Sequence, residues 1–411
     1  MTSRLYYGWV QVIALGISAV VSYGVLWYSF SVLIDPINHE MGWTRTQIAG
    51  AYTLATIIGA VAGYGLGSWL DAHGPRLMMT VGACLAVGMV LLWAQVQTLP
   101  AFYIVWALLG AVRMMVLYDP SFWVVANWFV RRRRQALTLL TFLGGFSTII
   151  FTPLTQALVQ TYGWRAALGY LALTLGAITI PLHGFILRRR PADYGLLPDG
   201  DTRLPTEAPS TPIQVEGLTQ AQALRSWDFW LLTASFLLIA LGVGMVIIYL
   251  VPYLTSSGYD PTFAATVAGA LGAFSLPGRI IFTLSGARWS PGCIAALIFG
   301  SQAVSLGILA LAGNESVIWI AIALFGLGYG ANVPTQAALI AERFGPQAYG
   351  AIRGTQGLFV TVVSAFAPLL AGFISDQTGN LTGLMSVLAG CAGVAAVLVL
   401  LGTRRVVTTA R

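Results

Sequence analysis

The chain is 411 residues long, 57% hydrophobic and only 9% charged, with a formal net charge of +7. Soluble domains carry about 25% charged residues, so this chain cannot cover itself with a polar shell and reads as a polytopic membrane protein. All 21 of its basic residues are arginine, which excludes lysine Schiff-base chemistry and makes every buried cation permanent.

The first long apolar stretch begins at Tyr7 and runs to about residue 34. It is too long for a cleaved signal core and has no small-residue cleavage site behind it, so it is expected to remain as the first helix. Five more stretches follow over residues 46–70, 76–97, 100–127, 135–160 and 164–187. After a polar interval, six further ones cover 227–255, 261–286, 291–313, 316–341, 347–375 and 380–402. Each meets the roughly 20-residue length of a spanning helix. The predicted fold is therefore an all-α membrane protein of twelve transmembrane helices in two six-helix bundles. The bundles are residues 1–187 and 226–411, joined by a linker over 188–225.

Arginine asymmetry predicts both termini on the cytoplasmic side. In that orientation sixteen arginines are inside, only Arg45 and Arg165 are outside, and Arg113, Arg279 and Arg353 remain within helices. The inside set includes the Arg131–Arg134 run and Arg188, Arg189 and Arg190, so the net charge reads as topogenic and not as a nucleic-acid surface. The halves also echo each other: Phe129 precedes Pro153 by the same interval as Phe344 precedes Pro368. Parallel repeats of this kind place a transporter's site near the midplane, between the repeats.

Cys84, Cys293 and Cys391 each sit alone in apolar sequence, and His39, His73 and His183 have no metal-ligand spacing. No metal, cofactor or nucleophile–base pair is expected, so an enzyme is not. Arg279 is different. It lies inside the eighth apolar stretch, where a lipid-facing cation is costly, and must face protein or a water-filled cavity. A guanidinium there suits a carboxylate. The other reading is a permanent ion pair, but no acid lies inside the later helices; Glu342 and Asp376 are at helix ends.

Several motifs carry a family resemblance. The Tyr7-Gly8-Trp9 opening, the loop from Gly67 through Asp71 and Gly74 to Arg76, and the run from Trp128 to Ala136 resemble the major facilitator superfamily. Within it they are similar to bacterial relatives of the monocarboxylate and oxalate/formate transporters. The segments Tyr162–Ala166, Arg190–Asp199 and Ser275–Arg279 are similar to later parts of that branch, and the resemblance covers nearly the whole chain. Ala72 and Pro75 stand where the superfamily usually has basic residues. Ser275 replaces the aspartate of the branch's animal members, and Gln356 stands where oxalate transporters carry a second cation. One cation suggests a monocarboxylate more than a dicarboxylate.

The resemblance implies alternating access of a small organic anion across the cell (inner) membrane by a monomer, with protons as a second partner. The sequence fits proton symport and anion exchange alike, and a drug/proton exporter of the same fold is the main rival. Arg279 would neutralise the anion; Tyr118, Tyr329, Asn332 and Gln356 would orient it. Tyr118 resembles a substrate-facing tyrosine, although core packing explains it equally well. Asp119 is the candidate proton carrier, because burial favours the uncharged carboxyl; alternatively, it caps a helix break before Pro120. Arg113 needs a partner, and at six residues' separation Asp119 is not an obvious one. Asp71, Arg76 and Arg131 are expected at a cytoplasmic gate.

Overall fold

The computed structural model describes residues 6–200, 217–285, 289–311, 313–365 and 381–403. The expectations placed on Pro368, Asp376, the middle of the linker and Arg4, Arg203, Arg288, Arg404, Arg405 and Arg411 lie outside the described residues.

Among the described residues all regular structure is helical. Helix α1 (Tyr7–Tyr23) passes through a π-helical turn at Gly24–Tyr28 into α2 (Ser29–Met41). Then come α3 (Arg45–His73), α4 (Pro75–Gln95), α5 (Leu99–Val116), α6 (Tyr118–Trp128), α7 (Arg133–Gly144) and α8 (Phe146–Pro181). After the linker follow α9 (Gln220–Arg225), α10 (Trp227–Ser256), α11 (Pro261–Ser285), α12 (Pro291–Ala310), α13 (Glu315–Phe344), α14 (Tyr349–Ser364) and α15 (Leu381–Thr403). Nine described stretches are long and apolar enough to cross a membrane, and one of them, Arg133–Ile186, turns back at Gly163. That glycine has φ 78°, a left-handed conformation that any side chain would strain. With that reversal, and with α11 and α14, the chain has the twelve-helix architecture of a multi-pass membrane protein.

Local sequence sets the helix ends. Thr44 caps α3 by accepting from the Gln47 amide at 3.2 Å, while the Gln47 side chain accepts from the Thr44 amide at 2.9 Å. This reciprocal box satisfies two donors that a helix start leaves open. Gly74, at φ 83°, then turns the chain into α4, with Pro75 at the first helical position, where its missing amide costs nothing.

By packing, the chain divides into two units. The first comprises Met1–Leu218 with Phe344–Leu358, and the second Thr219–Arg343 with Phe359–Arg411. In the first, Phe30, Trp93, Trp106 and Phe102 form an aromatic core, with Trp106 lying 4.5 Å from Phe30 and 4.8 Å from Trp93 between ring centroids. Edge-to-face pairs at such distances gain beyond plain burial. In the second, Leu271, Leu306, Ile322, Phe325 and Leu384 form the core. There Ser305 also donates to the Ala321 carbonyl at 2.6 Å, tying α12 to α13.

Candidate functional site

Arg279 is half-buried on α11, directly after Gly278. A Cβ at Gly278 would collide with the Leu327 carbonyl oxygen, and one at Gly330 with that of Ser275. Helices α11 and α13 therefore touch backbone to backbone, as small residues permit in membrane helices. This contact holds Ser275 and Arg279 on one helix against the segment of α13 that carries Tyr329 and Asn332. Ser275 is buried and donates to the Gly272 carbonyl at 2.7 Å. Asn332 is half-buried, and its side-chain oxygen accepts from Nε2 of Gln302 at 2.9 Å. Gln302, 1% exposed on α12, is a residue that sequence reasoning missed. An isolated amide in an apolar stretch gave the only signal. An apolar cavity of about 230 Å³, lined by Gly278, Ile281, Leu297, Leu327 and Ala331, borders the same helices and contains none of the polar candidates.

In the first unit, the fourth spanning stretch breaks at Leu117, whose φ/ψ of −84°/−150° is extended. The cap position is Leu117, not Asp119; Asp119 and Pro120 occupy the first turn of α6. The proline loses nothing there, because amides in the first turn have no helical partner. The Tyr118 ring stacks on Phe122 at 5.1 Å and lies 4.6 Å from Tyr23. Asp119 forms an ion pair with Arg353 of α14, Nε to Oδ1 at 3.3 Å. The Asp119 side chain keeps 42% of its exposure while that of Arg353 keeps 15%, so the carboxylate is the more accessible partner. A cavity of about 20 Å³, room for about one water, is lined by both residues together with Gly63, Gly67, Gly350 and Gly354. Gln356, one turn beyond Arg353, is buried at 1% exposure.

Arg113 has its partners on other helices, and they are aromatic. Its guanidinium carbon lies 4.1 Å from the centroid of Trp27 and 5.2 Å from that of Tyr52. Trp27 belongs to the π-helical turn, a wide turn that re-aims its side chains.

The three residues expected at a gate have different partners. The Asp71 carboxylate accepts from the Gly350 amide at 3.0 Å, the Ala351 amide at 2.9 Å and Nε1 of Trp123 at 2.8 Å. It thus caps α14, where a negative charge meets the positive end of the helix dipole. Arg76 donates to the Gly184 carbonyl at 2.8 Å. The backbone amide of Arg131 donates to Asp199 at 2.8 Å, and Asp199 also accepts from the amides of Val130 and Arg132. Arg133 is buried and donates to the carbonyls of Phe129 and Ala126, each at 3.0 Å, closing the C-terminal end of α6. His183 is likewise buried, with Nδ1 3.0 Å from the Met79 carbonyl and Nε2 2.7 Å from the Ser18 hydroxyl. A carbonyl only accepts, so Nδ1 carries the proton and Ser18 donates to Nε2. The histidine therefore joins α1, α4 and the end of the α8 stretch.

Comparison with known proteins agrees with this architecture. The sequence model of the Major Facilitator Superfamily matches residues 15–368. The chain is 27% identical over 383 residues to monocarboxylate transporter 13 of Rattus norvegicus, covering 92% of this chain and 84% of that protein. It is 23% identical over 341 residues to the oxalate:formate antiporter of Oxalobacter formigenes, covering 81% and 78%. Among solved structures, it is similar to the Major Facilitator Superfamily transporter FucP in the outward conformation, with a TM-score of 0.76 and 18% identity over 97% of this chain and all of that one. A bacterial homologue of the iron transporter ferroportin, in an outward-facing state, matches with a TM-score of 0.73 at 18% identity over 98% of this chain. At such identity these two speak for the fold alone.

Proposed function

The chain belongs to the Major Facilitator Superfamily, and from that premise we propose that it carries a small organic anion, most readily a monocarboxylate, across the cell membrane. It is a transporter and not an enzyme, as its relatives and fold neighbours are transporters. Movement proceeds by alternating access, with both termini cytoplasmic and a proton travelling with the anion.

Arg279 is the observation that carries this reading. A permanent cation held half-buried on an apolar helix, which packs closely on the helix that carries Tyr329 and Asn332, offers a fork of donors to a carboxylate. Tyr118, Tyr329, Asn332 and Gln356 orient the anion, and Asp119 takes the proton. Relatives named monocarboxylate transporter support the same substrate class. Asp71, Arg76 and Arg131 act on the cytoplasmic side, Asp71 through its cap on α14.

One observation favours a second reading, anion exchange without proton movement. Asp119 already has a counter-charge in Arg353, so it can stay ionised throughout a cycle. A relative named oxalate:formate antiporter fits that alternative. Proteoliposome flux separates the two. Uptake driven by an inward pH gradient supports symport; uptake stimulated only by unlabelled anion on the far side supports exchange.

A thermal-shift screen of purified protein against small mono- and dicarboxylates tests the site itself. A ligand that binds the folded state raises the melting temperature by mass action. Stabilisation by monocarboxylates that falls in Arg279→Gln supports the proposal. An equal response in the variant assigns Arg279 a structural role.

A further inference from the structure

Arg113 is the most deeply buried arginine of the spanning segments, 1% exposed near the C-terminal end of α5. Its guanidinium faces Trp27 and Tyr52, and the Tyr52 hydroxyl lies within hydrogen-bonding reach of it. Two of its nitrogens, Nε and Nη1, have no hydrogen-bond partner, and among the described residues no carboxylate pairs with it. Aromatic faces offset part of a buried cation's cost, but they satisfy no N–H donor. A helix C-terminus adds a comparable amount. Neither supplies the charge-assisted acceptors that a buried guanidinium demands.

The aromatic rings over Arg113 are less buried than the guanidinium they cover. Arg113 lies behind Trp27, Tyr52 and Tyr23, each of which is itself only half-buried. Tyr23 continues the aromatic wall to Tyr118, 4.6 Å away between centroids. Trp27 sits in the π-helical turn, where the backbone is wider than an α-helix and the ring closes over the guanidinium.

We propose that Arg113, covered by Trp27 and flanked by Tyr52, is an oxyanion-binding point within the first unit that takes a carboxylate group. The Trp27 ring moves off the guanidinium when the anion arrives, and Nε and Nη1 donate to its two oxygens. The site is separate from Arg279 and does not require that residue's proposed role. The ligand is a small carboxylate.

The test uses the full chain in lipid nanodiscs, with formate and oxalate as probes and tryptophan fluorescence as the readout. Both probes are expected to change the emission of the wild type, and Trp27→Phe is expected to remove that change. Arg279→Gln is expected to keep the formate response, which distinguishes this site from the one proposed above. Arg113→Gln is expected to weaken the response about tenfold or more, the equivalent of about 1.4 kcal/mol. If that variant does not fold, Arg113→Lys keeps the charge but loses the planar fork, and is expected to weaken formate binding similarly. An unchanged probe response in a folded Arg113 variant, or no probe response from Trp27 in the wild type, overturns the proposal.

Discussion

The carboxylate of Asp71 accepts the backbone amide of Ala351 at 2.9 Å, so a residue at the end of α3 caps a helix 280 positions later in the chain. The same carboxylate also accepts from Gly350 and Trp123. Asp71→Ala removes the cap, the charge at the helix N-terminus and the indole's acceptor together. The expected loss is about 1–3 kcal/mol, read as a lower apparent melting temperature of the purified protein. Asp71→Asn keeps an acceptor and is expected to fall between.

That cap sits at the end of a close helix crossing. The carbonyl of Gly67 lies 2.5 Å from where a Cβ of Gly350 would stand, and the carbonyl of Gly63 lies 2.6 Å from that of Gly354. Each obstacle is backbone and cannot swing aside. Gly350→Ala and Gly354→Ala are therefore expected to force α3 and α14 apart and to lower folded yield severalfold. Gly88→Ala, where the added methyl meets nothing within 4 Å, is the control and should be silent. Size-exclusion profiles of the three variants decide the matter.

The twelve helices were legible because a spanning segment must satisfy its own backbone and present about 20 apolar residues to lipid. The break before Asp119 was legible too, since Pro120 cannot donate to the turn behind it. Its position was displaced: Leu117 is the extended residue, which puts Asp119 inside the next helix. The partners of the buried charges were not legible. Asp119 meets Arg353, 234 positions on, and Arg113 meets two aromatic rings on other helices; no local pattern encodes either contact. The partners of His183, Ser18 and Met79, are equally remote in sequence.

Outside the spanning segments, Glu40 holds Arg165 at 2.8 Å and also accepts from Nε1 of Trp164 at 2.6 Å. The hydrogen bond from Arg165 is the main reason its carboxyl lies below the usual range. A depressed folded value means the contribution is present above the unfolded value, about 4.3 for a glutamate, and is lost as pH falls through the folded value. The pair is half-exposed, so the effect is small. Melting temperatures of wild type and Glu40→Gln should differ slightly near pH 6 and converge as the pH drops below about 4. A gap that persists in acid would assign the contact to packing.

Gln302 offers a test of how the polar part of α13 is set. Its Nε2 occupies the oxygen of Asn332 and leaves the Asn332 amide group as a donor, the polarity an anion requires. Gln302→Leu frees Asn332 to rotate, and transport is expected to fall by a factor of about 3–10, a loss of roughly 1 kcal/mol typical of one hydrogen bond. The loss should appear in KM more than in maximal rate. A fall in maximal rate with KM unchanged would indicate a folding defect.

The central claim is that Arg279 receives the transported carboxylate, and flux into proteoliposomes measures it most directly. Reconstituted wild type, Arg279→Lys and Arg279→Gln are compared for uptake of radiolabelled short monocarboxylates, with equal incorporation verified for each. The account predicts clear uptake by the wild type, partial uptake with lysine, which keeps the charge without the fork, and a fall of about 100-fold or more with glutamine. Monocarboxylate uptake by Arg279→Gln at the wild-type rate would contradict it.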